Sequence, residues 1–157
     1  MAAALAPRQI VLLSGPMGAG KTALVAAVAE ALGPREDQEL GVCSPTFAIH
    51  NRYETARGAI DHFDLYRVEG EADLESTGLW DLLASAGPQL VFIEWPERIN
   101  ENDLPRPAPR PAAPHKAPAA SADWELWRVE IELVPGAPEA RRIRCERARQ
   151  GSGAGKR

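Results

Sequence analysis

Two cysteines, Cys43 and Cys145, are all that 157 residues carry. Their separation fits neither a paired metal-ligand spacing nor a disulfide framework, so a reducing, cytoplasmic setting is expected. Aromatic side chains are scarce at 6%, and 27 of the apolar residues are alanines, so large core-forming side chains are fewer than the 45% apolar fraction suggests. The longest unbroken apolar run, Ala23 to Ala29, falls far short of the roughly 20 residues a membrane span needs. The stretch from Met1 to Arg8 has neither the basic start nor the apolar length of a secretory signal. Lysine is nearly absent, 3 against 15 arginines. With the excess of alanine and proline, that imbalance reads as coding bias rather than as a binding signal.

What is present suits one α/β domain. Charge is unevenly spread: residues 1–104 hold 16 acids and 7 bases, residues 105–157 hold 6 acids and 11 bases. Such a basic C-terminal segment is either a solvated end or a surface for an anionic partner. Gln9 to Ser14 contains four consecutive large aliphatics bounded by turn residues, the pattern of a strand buried on both faces. A glycine-rich turn, Gly15 to Thr22, follows, and Leu24, Val25, Val28 and Leu32 then recur at helical spacing up to the Gly33-Pro34 stop. Thr46–Tyr53 and Ala59–Tyr66 alternate well enough for a hairpin turning near Gly58. Glu69–Ala84 predicts one or two short helices broken near Gly78, and Leu90–Trp95 a second central strand ended by Pro96.

Residues 105–122 form a Pro/Ala-rich stretch without large apolar side chains, expected to be a flexible insertion. Residues 1–104 are then the core, and 123–148 a C-terminal hairpin of the same domain. Within the hairpin, Trp127, Val129, Ile131 and Leu133 share one face, and a return strand around Arg141–Cys145 turns Ile143 and Cys145 inward. Residues 149–157 are expected to be a disordered tail.

Gly15-x-x-x-x-Gly20-Lys21-Thr22 is a full Walker A pattern in its required strand–loop–helix setting. The backbone N–H groups around Gly15, Gly18, Ala19 and Gly20 can converge on phosphate oxygens, and the helix N-terminus adds its positive dipole end. Lys21 supplies a cation for the β- and γ-phosphates, and the Thr22 hydroxyl a ligand for Mg²⁺. A nucleotide and Mg²⁺ are the ligands this predicts. Hydrolysis needs further acids. Glu94 closes the strand Leu90–Ile93 as a Walker B acid would, or is a strand-end surface glutamate, and Asp64, within another expected strand, either reaches the same pole or caps a turn. Thr46, in Ser44-Pro45-Thr46, has the makings of a switch threonine. His62 lies in a half-apolar run and reads as structural, Trp95 as core or pocket wall, and Arg67 as either a phosphate-facing cation or an ion-pair partner. GTPase signatures Asp-x-x-Gly and Asn-Lys-x-Asp are absent from the chain.

In this order and at these separations, Gly15-Pro-Met-Gly-Ala-Gly-Lys-Thr22, Ser44-Pro-Thr-Phe47, His62-Phe-Asp-Leu-Tyr-Arg67 and Glu94-Trp95 with Glu97 resemble the TsaE family. These are small P-loop ATPases of tRNA threonylcarbamoyladenosine biosynthesis. The resemblance covers residues 8–104 and, more weakly, the C-terminal hairpin. It implies a P-loop NTPase-type α/β sheet with central parallel strands, antiparallel additions and flanking helices. It also implies ATP hydrolysis that is slow alone and depends on the partner proteins TsaB and TsaD, with tRNA met indirectly or weakly. By the same motifs, Lys21 and Thr22 would bind phosphate and Mg²⁺, Glu94 would be the metal-associated acid, and Asp64 the second essential acid, near the metal or the attacking water. Thr46 would be the switch threonine, and Trp95 would lie beside the nucleotide. Pro16-Met17 and Ala23 depart from the usual loop residues without removing a phosphate ligand, and the segment ahead of the first strand is shorter than is usual in the family. The readings set beside this one are a small-molecule kinase and a nucleotide-binding module without hydrolysis.

Overall fold

The computed structural model describes residues 8–33, 49–85, 90–105 and 124–148. Thr46, Cys43, the Pro/Ala-rich stretch from residue 106 on and the tail beyond Ala148 lie outside those residues. In chain order the elements are β1 (Arg8–Ser14), α1 (Lys21–Leu32), β2 (His50–Thr55), β3 (Gly58–Asp64), α2 (Glu71–Ser76), α3 (Leu79–Ala84), β4 (Leu90–Glu94), two single 3₁₀ turns (Pro96–Arg98 and Glu101–Asp103), β5 (Trp124–Val134) and β6 (Ala137–Arg147).

The strands form one six-stranded sheet in the order β2-β3-β4-β1-β5-β6. Its four central strands are parallel, and each outer strand is an antiparallel hairpin partner. This is the P-loop-type α/β sheet that the motifs predict. The aliphatic run of β1 lies between β4 and β5, where both faces are covered and all four side chains are buried.

Alternation assigns each residue to a face. Ile10 and Leu12 of β1 join Phe63, Val91 and Ile93 in a core covered by Leu74 of α2 and by Leu79 and Leu83 of α3. Val11 and Leu13 join Ile60, Phe92, Val129 and Ile131 under Val25 and Ala29 of α1. Gly78, with φ of 73°, separates α2 from α3, because a left-handed residue cannot continue a helix. The β2–β3 hairpin spans His50–Thr55 and Gly58–Asp64, a shift of a few residues from the expected Thr46–Tyr53 and Ala59–Tyr66.

The C-terminal hairpin needs a correction. β6 pairs with β5 as expected, but Ile143 is 54% exposed and Cys145 is also exposed, rather than turned into a core. Leu133 is likewise 48% exposed. The alternation is real, but among the described residues no helix covers the edge strand. α1 packs over β1, β3, β4 and the middle of β5. β5 also runs past β1, whose pairing ends at Ser14 opposite Glu130, so Ile131–Val134 overhangs the loop into which β1 turns.

No helix among the described residues is long and apolar enough to cross a membrane.

Candidate functional site

The parallel strands β1, β3 and β4 end at one pole of the sheet, with Leu13 beside Glu94 and Asp64 beside Glu94 in register. Ligands of open α/β sheets bind at the carboxyl ends of such strands. At this pole β1 passes into the turn 15–20, and α1 begins at Lys21. Positive φ at Gly15, Gly18 and Gly20 lets the chain wrap tightly. At Gly15 a side chain is also excluded, because a Cβ would lie 2.3 Å from the Ile131 carbonyl oxygen.

Lys21 is buried, 4% exposed, and its ammonium is accounted for. Nζ donates to the Gly15 and Pro16 carbonyls at 2.8 and 3.1 Å and stands 4.2 Å from the centre of the Trp95 ring. A buried cation requires such partners, and an indole face is among the better ones. Trp95 is held in place by backbone conformation. It is the one non-glycine residue with positive φ, 59°, among those described. Its N–H donates to the Leu13 carbonyl at 3.3 Å, and its ring meets Tyr66 at 4.9 Å between centroids. A bulky residue in the left-handed region is costly and persists where the surroundings fix it, often at functional sites.

The decisive contact joins the loop to the acid. Thr22 Oγ1 donates to Glu94 Oε1 at 2.8 Å across 72 residues of chain. Glu94 is 3% exposed, and the same oxygen lies 2.9 Å from His62 Nε2. A carboxylate acceptor there assigns the proton to Nε2, and the buried Nδ1 then has no hydrogen-bond partner. Asp64 lies one strand over on the same face and is half-buried at the mouth, with Oδ1 accepting the Tyr66 N–H at 3.1 Å.

Among the sequence candidates, Gly15, Gly18, Ala19, Gly20, Lys21, Thr22, Asp64, Glu94 and Trp95 gather at this pole. Thr46 is outside the described residues. Arg67 is exposed, and Glu97 lines a separate cleft of about 640 Å³ with Glu71, Leu74, Trp80 and Arg98. His62 is the residue the sequence reading set aside. The signal that could have found it is parity, since His62 and Asp64 stand two apart on one strand and therefore share the face that Glu94 occupies.

Hydroxyl and carboxylate oxygens within one hydrogen bond of each other are the hard donors that Mg²⁺ takes. Mg²⁺ needs only one or two protein carboxylates when phosphates complete its shell. Among the described residues there is no group of three or more His, Cys, Asp and Glu side chains of the kind that cages a metal by itself.

The family model of the threonylcarbamoyl adenosine biosynthesis protein TsaE matches residues 1–117. Several curated relatives bear the name tRNA threonylcarbamoyladenosine biosynthesis protein TsaE. That of Aquifex aeolicus is 36% identical over 96 residues, covering 61% of this chain and 64% of its own. That of Rickettsia bellii is 35% identical over 106 residues, covering 68% and 69%, and that of a Nostoc species is 37% identical over 92 residues, covering 57% and 54%. The chain therefore spans between about half and two thirds of the length of these relatives. Since the family model runs from the first strand through the phosphate loop, the β2–β3 hairpin and the Glu94 strand, the chain belongs to the TsaE family.

Proposed function

We propose that this protein binds Mg·ATP and hydrolyses it in support of tRNA N⁶-threonylcarbamoyladenosine formation by a TsaB–TsaD partner complex. The observation that carries the reading is the 2.8 Å contact between Thr22 and Glu94, which brings the phosphate loop and the strand-end acid to one point. The loop amides cradle the phosphate oxygens, and Lys21 exchanges its carbonyl partners for the β- and γ-phosphates. Thr22 and Glu94 would hold Mg²⁺, which when bound offsets the charge of the transferring phosphoryl group. His62 keeps the Glu94 carboxylate turned toward Thr22. Asp64, at the mouth beside Glu94, orients the attacking water and takes its proton as the new P–O bond forms and the bond to the ADP oxygen breaks. Trp95 walls the site and keeps bulk water from Lys21.

The cellular setting of this reading is the cytoplasm, and the family's role in tRNA modification supports the partners. Direct tRNA contact through the basic C-terminal segment is its minor part, because Arg142, Arg144 and Arg147 already face Glu132, Glu130 and Glu125.

Phosphate release from ATP, with tRNA present and with or without TsaB and TsaD, tests the proposal. The partners should stimulate release. Lys21→Ala should lower it at least about a hundredfold, and Glu94→Gln by a similar factor. Wild-type turnover in Lys21→Ala, or a phosphorylated metabolite in place of free phosphate, would overturn the reading, the latter in favour of a small-molecule kinase. Tight ATP binding with no release under any condition would leave a nucleotide-binding module.

A further inference from the structure

The overhang of the C-terminal hairpin brings two groups against the phosphate loop. The Ile131 carbonyl of β5 closes on Gly15, where a Cβ would lie only 2.3 Å away. On β6, Arg141 stands opposite Leu133 and reaches across to the loop. Its Nε donates to the Ala19 carbonyl at 3.0 Å, while Nη1 donates to the Pro138 and Ala140 carbonyls at 2.5 and 2.9 Å. The planar guanidinium is thus tied to its own strand by one nitrogen and to the loop by another, and its fixed fork geometry makes the link stiff.

The partner atom on the loop gives this contact its meaning. Ala19 C=O and Gly20 N–H belong to one planar trans peptide and point in opposite directions. Holding the carbonyl toward the hairpin fixes the Gly20 N–H to face away from it. Gly20, at φ of 102°, has no side chain to prefer one orientation of that peptide. Ala19 is also pinned by its own N–H, which donates to the Pro16 carbonyl at 3.1 Å. No other arginine of β6 does this. Arg142 and Arg144 face Glu132 and Glu130, and Arg147 faces Glu125.

We infer that Arg141 is a positioning residue for the phosphate loop, presetting the Ala19–Gly20 peptide so that the Gly20 N–H is already oriented when phosphate arrives. The inference rests on the nucleotide-binding reading above, and it concerns a residue beyond the 1–117 span that the family model matches. Arg141 touches no ligand in this role. It lowers the ordering cost of the loop, so its loss should appear in nucleotide affinity more than in the chemical step.

The test compares Arg141→Ala, Arg141→Lys and, as a charge-matched control, Arg142→Ala, each first shown to be folded by circular dichroism. Titration with ATP should show roughly tenfold weaker binding for Arg141→Ala, a raised KM with kcat within about twofold, substantial recovery in Arg141→Lys, which keeps a single donor nitrogen for the Ala19 carbonyl, and no change in Arg142→Ala. Hydrogen exchange without nucleotide should show faster loop amides, Gly18 to Thr22, in Arg141→Ala only. Wild-type affinity and wild-type loop exchange in Arg141→Ala would overturn the inference, as would equal losses in Arg142→Ala, which would make net charge the cause. Should Arg141→Ala not fold, the comparison of Arg141→Lys with Arg141→Gln decides by the same readouts. Failure of the wild type to bind ATP would instead sink the nucleotide reading, and the loop exchange measured without nucleotide would still decide whether Arg141 holds the loop.

Discussion

The parallel strands and the C-terminal hairpin belong to one sheet but are held by different means. β1, β3 and β4 are buried on both faces, and the central polar pair at the site, Glu94 with His62, is enclosed and hydrogen-bonded. In the hairpin, β5 buries Val129 and Ile131, but β6 is exposed along nearly its whole length and is tied to β5 by arginine–glutamate pairs at the surface. The buried half can fix reacting groups closely because close packing leaves them no alternative position. The hairpin can bear on the phosphate loop from outside through a few directed contacts. On this view stability resides in the first region, and the second modulates the loop.

Paired truncations test that division at its largest scale. Phe63 is fully buried between the sheet and α2–α3 and stacks on His50 at 4.2 Å between ring centroids. Phe63→Ala should cost about 3–5 kcal/mol in denaturant unfolding. Ile143→Ala, at an exposed position of the same sheet, should cost no more than about 0.5 kcal/mol. Comparable losses would mean that β6 is buried in the working protein and that the two regions are not distinct in kind.

The junction between the regions gives the next effect. At Gly15 a methyl group would collide with the Ile131 carbonyl at 2.3 Å and would also meet a φ of 141°, whereas at Gly18, with φ of 75°, nothing lies within 4 Å. Gly15→Ala should therefore destabilise by about 1–3 kcal/mol and weaken ATP binding, because either the loop or the hairpin must move. Gly18→Ala bears only the left-handed strain, about 1–2 kcal/mol at most. Unfolding curves and ATP titrations of the two variants separate backbone strain from the hairpin contact. Equal affinities would show that the overhang does not bear on the loop.

Much of the buried half was legible because its constraints are local. Four large apolar residues in a row in β1 and in β4 can be satisfied only inside a sheet, and the Gly-Lys-Thr loop specifies its conformation residue by residue. The meeting of Thr22 with Glu94 followed from strand polarity, since Glu94 closes β4 at the same pole where β1 gives way to the loop that leads to Thr22. The misses arise where the determinant is tertiary. Ile143 and Cys145 alternate as a buried strand does, but alternation reports a face and not whether anything covers it. His62 reads as structural in isolation and acquires its role only from the neighbouring strand. Arg141 looks like one of a run of surface arginines, and nothing in its neighbours marks the loop carbonyl it reaches. Its position follows from β5 outrunning β1, a length mismatch that exists only once the sheet is assembled.

The smallest effect lies in the charged ladder of the hairpin. Arg144 and Glu130 approach to 3.0 Å with side chains 60% and 46% exposed, so water and salt screen the attraction and both side chains lose rotamer freedom in making it. A double-mutant cycle, Arg144→Ala against Glu130→Ala, should give a coupling of about 0.2–1 kcal/mol that shrinks further in high salt. The Glu94–His62 pair offers the contrast. It is enclosed in the parallel half, where truncating one partner leaves the other buried and short of one hydrogen bond, so the loss there should exceed the ladder's and resist salt. A ladder coupling above about 2 kcal/mol, or one insensitive to salt, would indicate a desolvated pair. The edge strand would then be covered in solution, and the hairpin would have to be grouped with the core it borders.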